Sequence, residues 1–331
     1  MPFLVTAQIG GNSVFQFLNL SVSAKQSALG GKVYTGLNDD IFQPAFNPAV
    51  IQPAMNNKIG INYVSYLSDI NYGNLAYAYD IKKIGTLYSA ITYVNYGTFD
   101  YADESGERNG TFSASEAALV LGYAHRIPGS KLSVGLNTKF IFSSLENYSS
   151  TGLAFDMGLW YNDETGWQAG LAIRNAGIQL STYQGTQENL PFEIDLSFSK
   201  TFTHAPFKWF VTFENLQDPE IAFINTAHNS EDPDGNITEE NITTVDHVFR
   251  HIILGVELFP RKPFNIRAGY NFRRAAELSL KDQSFGTGFN FGFGLRLKKF
   301  EINYAYGNYS LASSANFFSI TVNLNEFYTN E

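Results

Sequence analysis

Residues Phe289 to Leu324 read FNFGFGLRLKKFEINYAYGNYSLASSANFFSITVNL. Phe289, Phe291, Phe293, Leu295 and Leu297 alternate with Asn290, Gly292, Gly294, Arg296 and Lys298, so one face is apolar and the other small or polar. After Lys298-Lys299, Ile302, Tyr304 and Tyr306 alternate with Glu301, Asn303 and Ala305. Phe318, Ile320, Val322 and Leu324 then alternate with Ser319, Thr321 and Asn323. Three such runs, the first two joined by a tight turn, predict antiparallel strands. If their apolar face meets lipid, the chain is a membrane-spanning β-barrel.

Composition bounds that reading. Of 331 residues, 44% are hydrophobic, with 29 Phe and 19 Tyr, yet the mean hydropathy is only -0.14. No window approaches the roughly 18 consecutive apolar residues of a spanning helix, whereas a barrel strand needs apolar residues only at alternate positions. A net charge of -9 argues against nucleic acid, which calls for a basic patch. With no cysteine, disulfides, thiolate metal sites and cysteine nucleophiles are excluded.

The chain divides into three parts. Met1 to Gln8 resembles the end of a secretory signal, with Val5 and Ala7 at the small-residue cleavage positions, so residues 1–9 are expected to be a signal remnant rather than an ordinary apolar N-terminus. Residues 10–57 lack the alternation of the remaining chain. Ser23 to Leu29 suits a short helix stopped by Gly30-Gly31, and Asn38-Asp39-Asp40 and Asn47-Pro48-Ala49 are turn formers. The stretch carries many apolar residues, which favours a hatch or plug inside the lumen over a solvated tail. Residues 58–331 are expected to form the barrel.

Within that last part, alternating runs fall near 58–66, 69–80, 85–96, 116–126, 131–145, 151–161, 167–175, 192–202, 208–215, 248–259, 264–272, 289–298, 300–309 and 317–324. That is an all-β antiparallel barrel of about 14 strands, an even number as in bacterial single-chain barrels. Connections after even-numbered runs are short. All the long ones, Gly97 to Ser115, Ala176 to Pro191, Leu216 to His247 and Arg273 to Gly288, come after odd-numbered runs. Such sorting is expected of an outer-membrane barrel and has no cause in a soluble sandwich. It predicts a Gram-negative outer membrane, extracellular long loops and both termini in the periplasm.

Charges fall opposite the apolar series. Lys139, Asp156, Arg174, Glu193, Asp195, Glu214, Glu257, Arg267 and Arg296 are expected to line the lumen, because an Arg or Lys facing lipid at mid-depth costs roughly 2 to 4 kcal/mol. Their mixed signs suit structural pairing better than a selective permeation path. The basic turns Lys82-Lys83, Arg126 with Lys131, Arg261-Lys262 and Lys298-Lys299 all belong to the short-connection side, where they meet anionic headgroups or an acidic partner, or are simply solvated.

No catalytic set is visible. Ser197 to Lys200 is the one Ser-x-x-Lys match, but it lies inside an alternating run with no Lys-Thr-Gly elsewhere. His125, His204, His228, His247 and His251 lack metal-ligand spacing. Asp232-Pro233-Asp234-Gly235-Asn236 resembles the opening of a calcium loop, with Glu239 and Glu240 close behind. Thr243 stands at its twelfth position, which favours a solvated acidic turn. The chain is therefore read as non-enzymatic, with no cofactor or metal.

Val14 to Gly31, Asn47-Pro48-Ala49 and Tyr66 to Asp80 resemble the PorQ family, outer-membrane components of the type IX secretion system. That family and its relative PorV are similar to the long-chain fatty-acid transporter barrels, in which fourteen strands surround a hatch containing an Asn-Pro-Ala turn. The resemblance implies that Asn47, Pro48 and Ala49 sit in a hatch. It also implies an attachment complex in which a PorZ-like surface protein is anchored at the membrane, with PorU and PorV as further partners. Ile221, Phe223 and Ile224, apolar residues in an acidic loop, are the candidate docking site for that partner unless the loop folds over its own barrel. Three functional readings stand: an anchor in the attachment complex, a transporter of hydrophobic ligands, and a soluble secreted β-protein.

Overall fold

The computed structural model describes residues 13–66, 70–102, 107–223, 225, 230–231, 237–238, 242–279, 286–310 and 313–328. Its wall begins with β1 (Lys58–Ser65), β2 (Asn71–Ile81), β3 (Gly85–Ala102), β4 (Arg108–Arg126) and β5 (Leu132–Leu145). It continues through β6 (Tyr148–Asn162), β7 (Trp167–Ser181), β8 (Glu193–Thr201) and β9 (Phe207–Phe213). After a two-stranded hairpin, β10 (Ser230–Glu231) and β11 (Ile237–Thr238), it resumes as β12 (Ile252–Leu258), β13 (Phe264–Asn271) and β14 (Phe289–Arg296). The last strands are β15 (Phe300–Ser310) and β16 (Ser313–Asn323). Apart from the hairpin these fourteen strands pair antiparallel in sequence order, and β1 closes on β16 from Lys58↔Asn323 to Ser65↔Asn316. A closed antiparallel barrel of fourteen strands is what the alternation predicts.

The alternation also places the faces correctly. Phe289, Phe291, Phe293, Leu295, Ile302, Phe318 and Ile320 are exposed on the outside, while Asn290, Asn303 and Ser319 are buried inside. Aromatic residues pack across strands on the outer face with tilted rings, Phe293 and Tyr304 centroids 5.6 Å apart and Tyr304 and Phe318 5.0 Å apart. Phe293→Arg is therefore expected to destabilise the barrel by about 2 to 4 kcal/mol in micelle denaturation, and Arg296→Gln by less than about 1 kcal/mol. Equal losses would reverse the face assignment.

Three stretches depart from the sequence reading. Gly97 to Ser115 is expected as a loop, but β3 and β4 stay paired to Ala102↔Arg108 across two register shifts. Phe112 packs between Phe99 and Tyr101, at 5.1 and 4.9 Å, and holds the ladder together. Likewise β7 runs to Ser181, six residues beyond the expected end at Asn175. In the run expected as one strand from Val248, the first residues instead belong to helix α2 (Thr244–Arg250), because Thr243 and Asp246 form a reciprocal capping box. A second loop helix, α3 (Phe272–Glu277), comes directly after β13.

The wall is uneven. From β3 to β7 the strands have 14 to 19 residues, whereas β8, β9, β12, β13 and β14 have 7 to 9. Residues 13–57 run through the lumen. Ser13 to Leu20 occupy the long-loop half, where Val14 N donates to Asn189 O at 2.9 Å and Arg174 Nη2 to Leu18 O at 2.8 Å. Next comes helix α1 (Ala24–Ala28), capped by the Ser23 hydroxyl. Gly30 at φ 101 ends it, with Gly30 N on Ser27 O at 3.1 Å and Gly31 N on Gln26 O at 2.9 Å. The segment leaves at the short-turn end, where Asn57 N donates to Ala78 O. The C-terminal helix α4 (Asn325–Tyr328) lies at that same end, with Asn325 Nδ2 on Asn56 O at 3.0 Å. The expectation for the N-terminus itself falls on residues 1–12, which lie outside the described residues. Ser13, the first described residue, lies at the long-loop end because the segment descends through the lumen before entering β1.

Candidate functional site

Glycines on the inner wall admit the backbone of the N-terminal segment. Asn47 caps a 3-10 turn over Pro48–Val50 with its Oδ1 on Ala49 N at 3.0 Å, and donates through Nδ2 to Tyr34 O at 2.7 Å and Leu159 O at 3.3 Å. The turn lies directly on Gly135 and Gly158. A Cβ at Gly135 would stand 2.3 Å from Pro48 C, and one at Gly158 2.0 Å from Asn47 Oδ1. Gly269 admits Leu29 in the same way, at 2.2 Å. In the sequence these are only the small residues of the polar face. Nothing in their spacing tells which face a chain passing inside.

Six of the nine expected lumen charges meet in one buried cluster. Arg174 Nη1 lies 2.8 Å from Glu193 Oε2, and Lys139 Nζ lies 2.8 Å from Asp156 Oδ2. Two residues from the N-terminal segment complete the cluster. Lys32 Nζ lies 2.9 Å from Glu193 Oε2 and 3.0 Å from Glu214 Oε2, and Tyr34 OH donates to Asp195 Oδ2 at 2.6 Å. The Arg174 guanidinium also covers the Phe46 ring at 3.9 Å. Burial works against the charge on Lys32, but Glu193, Glu214 and Asp195 outweigh it and hold the ammonium above the ordinary lysine range. Strand alternation could flag the wall members of this cluster. Lys32 and Tyr34 have no periodic signal, since they lie outside any strand.

Two motifs on neighbouring strands repeat here. Asn175 at φ 55 donates its N–H to Asp156 Oδ1 at 2.9 Å, and Asn215, also at φ 55, donates its N–H to Asp195 Oδ1 at 2.9 Å. Asparagine tolerates the left-handed region better than most residues, so Asp156 fixes a bend within β7 and Asp195 one just beyond the end of β9.

The remaining three charges lie elsewhere. Glu257 and Arg267 pair at 2.9 Å, almost wholly buried, and Arg267 Nη1 donates to Asn303 Oδ1 at 3.0 Å. Arg296, expected to line the lumen, stands apart from the buried cluster. Its side chain is 36% exposed at the short-turn rim, 3.7 Å from Glu301, which Lys25 approaches more closely at 2.8 Å. At the level of Arg296 the strand has reached its end, where solvent replaces lipid and protein.

Above the charge cluster the lumen turns apolar. Val64, Val94, Ala118, Ile141, Ala154, Ala315 and Phe317 form inward-facing walls, and Val14, Phe15, Phe17 and Leu18 fill the space between them. Phe15 is almost wholly buried at φ 57 and ψ 39, a left-handed conformation that costs a bulky residue about 1 to 3 kcal/mol.

The expected docking residues divide. Ile221 is buried in its own protein, so it is not available to a partner. Ala222 N donates to His247 Nδ1 at 3.3 Å, and Arg250 Nη1 to Phe223 O at 2.6 Å, which folds the loop back on α2. Phe223 is exposed, and Ile224 lies outside the described residues. So do Asp232 to Asn236, Glu239, Glu240 and His228. Ser197 and Lys200 are not a reactive pair. Ser197 Oγ accepts from Tyr34 N in the lumen at 3.1 Å, while Lys200 Nζ donates to Thr165 O at 2.8 Å at the short-turn end. Among the described residues no group of three or more His, Asp or Glu is placed to hold a metal ion.

No protein-family model and no curated protein sequence matches the chain. Solved structures do match. A structure titled "TodX deltaS2S3 mutant monoaromatic hydrocarbon channel" aligns with TM-score 0.54 and 11% identity, over 92% of this chain and 99% of that one. Another TodX variant, the deltaS2 mutant, aligns with TM-score 0.51 and 12% identity over 90% and 96%. At such identities the likeness shows the fold alone, which is that of outer-membrane barrels of the TodX type.

Proposed function

We propose that this chain is a non-enzymatic outer-membrane barrel that takes up a hydrophobic ligand, with residues 13–57 as the plug controlling access. One observation carries this reading: an apolar chamber in the long-loop half of the lumen is already filled by Phe15, Phe17 and Leu18 of the same chain. The strained backbone at Phe15 lowers the cost of displacing them. An incoming apolar molecule then covers the same Val64, Val94, Ile141 and Phe317 surfaces. The fold shared with structures titled monoaromatic hydrocarbon channels makes a small aromatic hydrocarbon the first ligand to test. Equilibrium dialysis of toluene against purified protein is expected to show saturable binding. The combined Phe15→Ala and Phe17→Ala substitution should tighten it by about tenfold, because about 1.4 kcal/mol less self-occupancy has to be displaced. Absence of saturable binding in both proteins rejects the reading.

A second reading is favoured by the filling of the mid-lumen with ion pairs and close-packed backbone. A barrel held shut in that way suits an anchor, here for a PorZ-like surface protein in an attachment complex with PorU and PorV. Detergent extraction and affinity purification from a host with those components is expected to retain the PorZ-like protein. Its loss from the purified complex, combined with toluene binding, leaves the first reading alone.

A further inference from the structure

We propose that the upper edge of β7 is a docking site for an extended segment of a second protein, which completes the wall by backbone hydrogen bonding. Pairing of β7 with β8 runs from Trp167↔Lys200 and stops at Arg174↔Glu193. On its other side β7 remains paired with β6 as far as Ser181↔Thr151. Its last residues are thus paired on one side only.

The point of separation is fixed structurally. Asn175 bulges there, its N–H on Asp156 and its Nδ2 on Pro191 O at 2.9 Å. Pro191 has no N–H with which to extend the β8 ladder, and the residue before it, Leu190, is buried in the lumen cluster. Beyond Asn175 the inside-outside alternation of β7 breaks, and Ala176, Gly177 and Ile178 are all exposed. A cavity of about 450 Å³ opens in the gap, lined by Asn175, Ala176, Gly177, Pro191, Phe192 and Gln217 among others. Among the described residues no backbone group of the β8 side bonds to the backbone of 176–181, although Glu188 N donates to the Gln179 side chain at 2.9 Å.

Ile178 and Leu180 are exposed on the outer surface at 55% and 59%, and Phe192 and Leu216 flank the other side of the gap, so the edge borders the apolar belt. The gap itself also carries Asn189, Gln217 and Asp218, so water reaches its N–H and C=O groups, and an unpaired edge of this kind is a ready template for another strand. Lipid can fill the cavity but offers no matching row of donors and acceptors. An extended polypeptide offers both at strand spacing over the six residues 176–181.

The test uses the full chain in lipid nanodiscs, a six-residue peptide of alternating valine and threonine, and the same peptide N-methylated at every amide. The unmodified peptide is expected to slow hydrogen exchange within 176–181 by about tenfold, leave 167–174 unchanged, and lose this effect when methylated. Equal protection by the methylated peptide would show apolar filling of the cavity and overturn the proposal. So would no protection by either peptide, slow exchange without any peptide, or a dimer of this chain whose formation accounts for the protection.

Discussion

Gly135→Ala is expected to unseat the Asn47–Ala49 turn. The added methyl would stand 2.3 Å from Pro48 C and 2.4 Å from Ala49 N, and these are backbone atoms that no rotamer change can move aside. Overpacking of a filled interior costs about 1 to 3 kcal/mol, and an obstacle made of backbone places this substitution at the upper end. Gly158→Ala meets a side-chain atom, Asn47 Oδ1, at 2.0 Å. Asn47 can turn away only by losing its bonds to Ala49 N and Tyr34 O, so the expected loss is about 2 kcal/mol. Both variants should show a lower denaturant midpoint in micelles and new protease cleavage between residues 33 and 57. Adding Asn47→Gly to Gly158→Ala is expected to recover part of the loss through a coupling of about 1 kcal/mol. Strict additivity, or wild-type protease resistance in Gly135→Leu, would mean that the turn does not rest on these glycines.

Arg174→Met is expected to cost about 3 to 5 kcal/mol, because removing one partner of a buried ion cluster leaves the others uncompensated. Arg174 is wholly buried and holds Glu193, Leu18 O and the Phe46 face together. Its loss leaves Glu193 with Lys32, and Asp195 with Tyr34 and the Asn215 amide. The damage should reach the N-terminal segment too, seen as faster exchange at residues 13–20. Lys32→Met should act in the same direction, since it exposes the Glu193–Glu214 pair to mutual repulsion. If Arg174→Met and the rim substitution Arg296→Gln lower stability equally, the mid-lumen cluster is not what holds the segment in place.

Alternation assigned the two faces of the wall. Residues two apart on a strand share a face, so Phe289, Phe291 and Phe293 had to lie outside once Asn290, Gly292 and Gly294 lay inside, and the even count came from the number of alternating runs. Wall charges were legible for the same reason. Lys139, Asp156, Arg174, Glu193, Asp195 and Glu214 stand at inward positions that local periodicity identifies. Three-dimensional closure decided the rest. Lys32 reaches Glu193 across 161 positions of sequence, and Asn47 reaches Leu159 across 112, through an irregular segment with no period to read. Which wall glycines admit that segment, that Ser13 lies at the long-loop end, and that β7 outruns β8 are likewise set by how the strands close around the chain inside them. A strand's faces are fixed by its own neighbours, whereas the filling of a barrel depends on every strand at once.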